Sequence, residues 1–275
     1  MAEPENLIDT LALERIEVNL FRGVSPTGQG PRIFGGLVIA QALLAAYRTV
    51  EARFCHSLHC YFIRPGDPAV PILYEVDRAR DGKSFTTRRV TAIQHGAQIF
   101  NLAASFQGDE PGMEHQDSMP VVTRPEALAD DDGDRDWRRA IEMRWIDPVR
   151  QDAPSPAPAA QNAWVRVISP LPDDVAIQQA VLAYASDMSL MSTAMRPHAV
   201  TWRTPGLQTA SLDHAIWFHR PSNFNHWHLY AQKSPSASGG RGFNLGEIYN
   251  IDGRLVASTA QEGLMRLRAP APQGA

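Results

Sequence analysis

Three polar residues stand out because their surroundings are apolar. Asp187 lies in AVLAYASDMSLMSTAM, a stretch of helical composition in which it is the only charged residue. A carboxylate buried there without partners would be costly, so it calls for hydrogen-bond donors. Ser211 stands at the start of the strand-like run TASLDHAIWF. Gln261 sits in VASTAQEGL, on the same strand face as Thr259 and Gly263. An acid, a hydroxyl and a carboxamide together can hold one water molecule against a carbonyl carbon and take its proton, with no covalent intermediate. Each also has an ordinary reading: a cap or solvated helix end for Asp187, a strand hydroxyl for Ser211, and a solvent-facing edge residue for Gln261.

The chemistry that is missing narrows the field. Gly23-Val24-Ser25-Pro26-Thr27 lacks the second glycine of a GxSxG elbow. There is no Walker loop, no GxGxxG after a strand and no HExxH. No metal site is expected. The consecutive acids Asp130-Asp131-Asp132-Gly133-Asp134 read as a solvated loop, without the glycine-fixed geometry of a calcium loop. His56, His59, His214 and His219 lie in or beside strand-like runs, where a packed imidazole is the ordinary reading; His56 is a candidate for contact with substrate. Asp213 and His214 are neighbours on one strand and should point to opposite faces, which weakens an Asp/His pair of hydratase type. Cys55 and Cys60 are five residues apart, an odd spacing that predicts opposite strand faces and free thiols in a reducing cytoplasm.

Charge and composition exclude other classes. The 275 residues carry 26 basic and 30 acidic side chains, a net charge of -4, with no clustered basic patch for nucleic acid. No run approaches the roughly 18 apolar residues of a membrane span. The N-terminal MAEPENLIDTLALERI has neither the basic nor the apolar region of a secretory signal. A cytoplasmic location follows as the expectation. With 44% apolar residues, the chain can build one large core or two of ordinary size.

The elements that must hold the three polar residues come in two sets. In the first, residues 6–13 suit a short amphipathic helix, and Ile16, Val18 and Leu20 alternate as a strand. Residues 23–31 are turn-rich. Gly35-Gly36 opens a helix to Tyr47 that is apolar on every side and must be buried all round. The glycine pair lets other backbone or a ligand approach its start. Strands are expected at 57–63, 72–77, 85–94 and 97–106, the last two joined at His95-Gly96. Residues 107–162 hold the acidic run and then QDAPSPAPAAQ, which suits a stiff linker.

The second set repeats the first. Strands are expected at 164–169, 209–218, 227–232, 242–251 and 254–265, with a helical stretch at 176–195. Tyr61-Phe62-Ile63-Arg64-Pro65 matches Trp217-Phe218-His219-Arg220-Pro221, and Tyr74 matches Tyr230, both 156 residues on. The hairpin glycines Gly96 and Gly253 follow at 157. An offset held across three elements argues for tandem duplication. One helix laid on an antiparallel sheet, repeated twice, is an α+β double hotdog, with repeats at 1–108 and 163–275, a linker at 109–162, and two sheets joined edge to edge. Gln261 corresponds to Ala104 and Asp187 roughly to the region of Gly36, so the first repeat lacks these polar groups.

The blocks FRGVSPTG…RIFGGLVIAQAL, HSLHCYFIRPGD, RDGKSFTTRRVTAIQHGAQIFNLAASFQ, YASDMSL, LDHAIWFHRP, RGFNLGEIYNIDGRLVAS and TAQEGLMR resemble the acyl-CoA thioesterase II family over most of residues 10–108 and 160–268. The resemblance implies a double-hotdog fold, hydrolysis of acyl-CoA substrates to free acid and CoA, no cofactor, and assembly as a homo-oligomer. It implies a catalytic trio at Asp187, Ser211 and Gln261. Many members carry Thr at the hydroxyl position; Ser keeps the donor and acceptor but has more rotamer freedom. In this reading the start of the helix at Gly35-Gly36 would meet the developing oxyanion. Two rival readings keep the fold: an acyl-CoA-binding or sensing protein with weak turnover, and another hotdog enzyme such as an enoyl-CoA hydratase.

Overall fold

The computed structural model describes residues 6–26, 30–128 and 140–268. The acidic run at 130–134 lies outside them. Helix α1 (Leu7–Leu11) starts at Asn6, whose side chain accepts the Ile8 N–H. Strands β1 (Leu13–Glu17) and β2 (Leu20–Gly23) then form a tight hairpin. The alternation across Ile16, Val18 and Leu20 therefore spans a turn rather than one strand: Val18 and Asn19 sit between the two.

Helix α2 (Gly35–Tyr47) is buried from Gly36 to Ala46, as its all-round apolarity requires. Strands β3 (Phe54–Phe62), β4 (Ile72–Asp81), β5 (Phe85–Gln94) and β6 (Ala97–Gln107) complete the first repeat. Residues 109–162 were expected to be a linker throughout, but Ile141–Trp145 forms strand β7, paired with the next strand. Its alternation is too short to be read beside a Pro/Ala stretch. The second repeat follows with β8 (Ala160–Val167), helix α3 (Val175–Ser186), a 3-10 helix (Leu190–His198), and strands β9 (Leu207–Ser211), β10 (Asp213–Phe218), β11 (His228–Ser238), β12 (Arg241–Asn250) and β13 (Leu255–Leu267).

The strand order is β1-β2-β4-β5-β6-β3-β10-β13-β12-β11-β8-β7, with β9 paired to β13. It reads as two copies of one order, mirrored about the antiparallel contact of β3 with β10, where Asp213 faces Tyr61 and Trp217 faces Ser57. The predicted edge-to-edge junction is therefore present, and it removes two open edges. Helices α2 and α3 pack against each other and against the sheet, and they run in opposite directions. Gly36 at the start of α2 touches Tyr184 near the end of α3, and Tyr47 at the other end bonds Gln179.

Two bulges at equivalent places shape this junction. The run read as one strand over 209–218 breaks at Leu212, because β9 and β10 pair with the same strand β13 one residue out of step. The Leu212 N–H bonds Glu262 O, and the Asp213 carboxylate accepts the Glu262 N–H at 2.7 Å. In β3 the register shifts between Cys55 and Ser57, so His56 is the bulged residue, 156 positions before Leu212. That extra residue corrects the prediction for the cysteines. Cys55 and Cys60 both face inward, free and buried, since the bulge changes the parity between them.

Candidate active site

Asp187 is the residue at which α3 stops. Its N–H turns back to Ala185 O, and its side chain leaves the helix toward the start of α2. There the Gly36 N–H donates to the carboxylate. Phe34, the N-cap of α2, supplies no side-chain acceptor, so a carboxylate from the other repeat serves the positive end of this helix. The approach is close. A Cβ on Gly35 would lie 2.7 Å from Asp187 Oδ2 and 2.9 Å from the Phe62 ring. A Cβ on Gly36 would lie 2.5 Å from Tyr184 O and from the Phe34 ring. The glycine pair is there to admit the acid and the neighbouring helix.

Gln261 on β13 is fully buried, and its Nε2 donates to Asp187 Oδ1 at 2.6 Å and to Ser211 Oγ at 3.2 Å. Both amide hydrogens are thereby used. Turning the amide over would set its oxygen against the carboxylate, so Asp187 fixes its orientation. Ser211 reaches this point because it is the last residue of β9, just before the bulge, opposite Gly263. Its oxygen accepts from Gln261, which leaves the hydroxyl hydrogen free for a substrate or a water.

Burial pushes the Asp187 carboxyl up to about 7, although the hydrogen bonds from Gln261 and Gly36 pull the other way. Its side chain keeps only 4% of its exposure. The sign for stability follows. The unfolded carboxyl ionises near 3.8 and the native one near 7. The stability this group contributes is complete below the lower value and is lost as pH rises through the upper one. Asp187→Asn, which cannot ionise, should therefore gain on the parent protein by a few kcal/mol between about pH 5 and about pH 8. Thermal melts of both proteins across that range check this; a difference independent of pH contradicts it.

The structure brings together Asp187, Ser211, Gln261, Gly35 and Gly36. It does not bring His56 to them. His56 Nε2 bonds Ser105 Oγ at 2.8 Å, and its ring meets Phe85 edge to face. Cys60, the residue of β3 that pairs with His214, is four positions away, about 13 Å along the strand. The bulge and the Ser105 bond account for His56 without a substrate. His214, read from the sequence as a packed imidazole, and Ser186, which the sequence did not single out, stand beside Asp187. The parity of β10 carries the signal: His214, Ile216 and Phe218 are buried while Trp217 is exposed. Asp213 points away from His214, as its place in the strand predicts.

Among the described residues, the first repeat holds no second copy of the site. The counterpart of Ser211 is Cys55 and that of Gln261 is Ala104, whose pairing with β3 and β5 matches the register of β13. The counterpart of Asp187 is not near Gly36, as the sequence suggested. It is Arg48, the residue at which α2 stops. The two helices run in opposite directions, so Gly36 faces Asp187 rather than replacing it. In the first repeat this space is closed by Tyr47, whose hydroxyl accepts the Cys55 N–H at 2.7 Å and bonds Gln179; Gln179 donates to Cys55 O at 2.9 Å. Among the described residues, no group of three or more His, Cys, Asp or Glu is placed to hold a metal. Nor is any helix there long and apolar enough to cross a membrane.

Comparison with known proteins agrees with this layout. Residues 24–107 match the family described as acyl-CoA thioesterase N-terminal domain, and residues 138–264 match acyl-CoA thioesterase. The chain is 40% identical to Acyl-CoA thioesterase 2 of Haemophilus influenzae, over 95% of this chain and 97% of that protein. The crystal structure of an acyl-CoA thioesterase II, TesB2, from Mycobacterium marinum superposes with a TM-score of 0.83 at 42% identity, covering 96% of this chain and 99% of that one. A hot dog fold protein from Alicyclobacillus acidocaldarius shares the fold at 22% identity, with a TM-score of 0.80 over 96% of this chain and 98% of its own. With a double hotdog fold and near-complete coverage at this identity, the chain belongs to the acyl-CoA thioesterase II family.

Proposed function

We propose that Asp187, Ser211 and Gln261 activate one water molecule for attack on the carbonyl carbon of an acyl-CoA thioester. The overall reaction is hydrolysis to a carboxylic acid and CoA. One observation carries the proposal: a single buried amide nitrogen reaches both the acid at 2.6 Å and the hydroxyl at 3.2 Å. Asp187 in its ionised form accepts a proton from the water. The hydroxide equivalent bonds to the carbonyl carbon, and the tetrahedral intermediate then expels the thiolate. Thiolate is a good leaving group, and the proton held by Asp187 passes to it or to solvent. The positive start of α2 lies beside the carbonyl oxygen in this geometry. The Gly36 N–H already serves Asp187, so its part is to hold the base; the Leu37 and Val38 N–H groups bond Phe34 O, so stabilisation of the oxyanion falls to the Gly35 N–H.

In this reading the repeat at 163–275 carries the chemistry, and the repeat at 1–108 lends Gly35-Gly36. The stretch 109–162 joins them and adds an edge strand. The proposal includes a homo-oligomer in a reducing cytoplasm. Two free, buried cysteines favour the compartment, and the exposed Tyr61, Ile63 and Trp217 about the central strand pair favour self-association.

Release of free thiol from a panel of acyl-CoAs of increasing chain length tests the activity. Turnover on at least one of them is expected, whereas binding without thiol release would identify a sensor. Ser211→Thr should keep most of the rate. Ser211→Ala should lose about tenfold, the value of one neutral hydrogen bond. Equal rates for Ser211→Ala and the parent would remove the hydroxyl from the mechanism.

A further inference from the structure

His214 is a buried titratable group that the hydrolytic scheme does not use. Its side chain has no exposure, and its Nδ1 lies 3.9 Å from Asp187 Oδ1. The other ring nitrogen, Nε2, is 2.9 Å from Ser186 Oγ. Ser186 decides the tautomer. The Asp187 N–H goes to Ala185 O, and the Ser186 hydroxyl donates to Ala183 O at 2.9 Å, satisfying a carbonyl of the last helical turn. A hydroxyl has one hydrogen, so toward His214 the Ser186 oxygen accepts, and Nε2 carries the imidazole proton. Nδ1 is then an unprotonated nitrogen, buried and without a hydrogen-bond partner.

Resting on the reading of Asp187 as the base, we propose that His214 is a positioning residue for it: a neutral imidazole, held by Ser186 in the Nε2–H tautomer, presents a bare Nδ1 to the carboxyl group and favours its protonated form. A lone pair facing a carboxylate oxygen is repulsive, and the same lone pair facing a carboxyl O–H is attractive. Burial holds the imidazole at about 3, so it stays neutral and forms no ion pair. The other groups around Asp187 do not compete for this role. The Cys60 thiol, held far above its ordinary range by burial, donates to His214 O. The Tyr230 hydroxyl, likewise pushed up by burial, donates to Ser186 O. Asp213 turns to the Glu262 N–H, and the Gln261 amide and Gly36 N–H favour the ionised form.

The consequence is a defined working range for the base. With Nδ1 bare, Asp187 stays protonated in acid and becomes a base only near neutrality. Ser186→Ala frees the imidazole to place its proton on Nδ1 and donate to the carboxylate. His214→Gln keeps a donor toward Ser186 and removes Nδ1. Both should shift the acidic limb of the pH profile of kcat/KM to lower pH, by about one unit. A purely structural role would lower rate or stability and leave that limb in place; an unmoved limb in both variants overturns the proposal.

Two measurements on the unaltered protein are independent of variant folding and of substrate choice. Nitrogen-15 NMR of the His214 ring reads the tautomer: protonation on Nε2 supports the proposal, and protonation on Nδ1 overturns it. Carbon-13 NMR of the Asp187 carboxyl follows its titration directly: a midpoint near neutrality supports the proposal, and one in the ordinary carboxylate range overturns it. If every acyl-CoA tested proved inert, these spectra would still decide the question, so loss of the thioesterase reading and loss of the His214 proposal are distinguishable.

Discussion

Asp187→Asn is expected to lower kcat/KM for acyl-CoA by roughly 10²–10⁴-fold, the usual worth of a positioned proton acceptor, while the protein still folds. The substitution keeps the shape of the side chain. The new amide oxygen can still accept from Gln261 Nε2, which now donates to Asp187 Oδ1 at 2.6 Å. What is lost is the proton acceptor, because an amide does not take a proton from water. One cost is relieved, since no charge has to be buried in a site where burial already lifts the carboxyl to about 7. Activity should therefore collapse without a matching loss of stability. Steady-state thiol release together with thermal melts checks both halves. A variant with ordinary turnover would remove the base from the scheme.

Gly35→Ala is the second large effect, and it acts without replacing any of the three polar residues. The added methyl carbon would sit 2.7 Å from Asp187 Oδ2 and 2.9 Å from the Phe62 ring. Both neighbours are buried or half-buried, so the short Asp187 side chain must turn aside. A displacement of about 1 Å at a reacting group costs on the order of 100-fold in rate. Stability should change little, because alanine is favoured over glycine in a helix by about 1 kcal/mol, which offsets the contact. Gly36→Ala makes the contrast. Its methyl carbon would meet Tyr184 O, a backbone atom, at 2.5 Å, so α2 and α3 would have to separate. That variant should lose about 1–3 kcal/mol as well as activity. Near-normal kcat for Gly35→Ala would show that Asp187 does not occupy the position described.

Much of this arrangement was legible in the sequence, for identifiable reasons. The 156-residue offset exposed the duplication, and an all-apolar helix after two glycines had only one place to go. Strand parity put Gln261 on one face with Thr259 and Gly263, and the folded sheet buries that face. What escaped was whatever depends on a bulge or on packing between repeats. One extra residue at Leu212 splits β9 from β10, and one at His56 turns both cysteines to the same side. No alternation pattern marks either residue. The opposite directions of α2 and α3 carry Gly36 to Asp187, a relation that the offset alone assigned wrongly. The Ser186–His214 contact joins the end of a helix to a strand 28 residues later, and the pairing appears only once the sheet is closed.

The thioester is expected to react at the trio of the second repeat and nowhere else. A crystal structure of the Asp187→Asn variant soaked with an acyl-CoA tests this most directly, because the slowed enzyme should hold intact substrate. The expected result is a thioester carbonyl carbon about 3–3.5 Å from a water held by residue 187 and Ser211, with its oxygen toward the start of α2. A thioester found beside Cys55 and Tyr47 of the first repeat, or out of reach of Ser211 and Gln261, would contradict it.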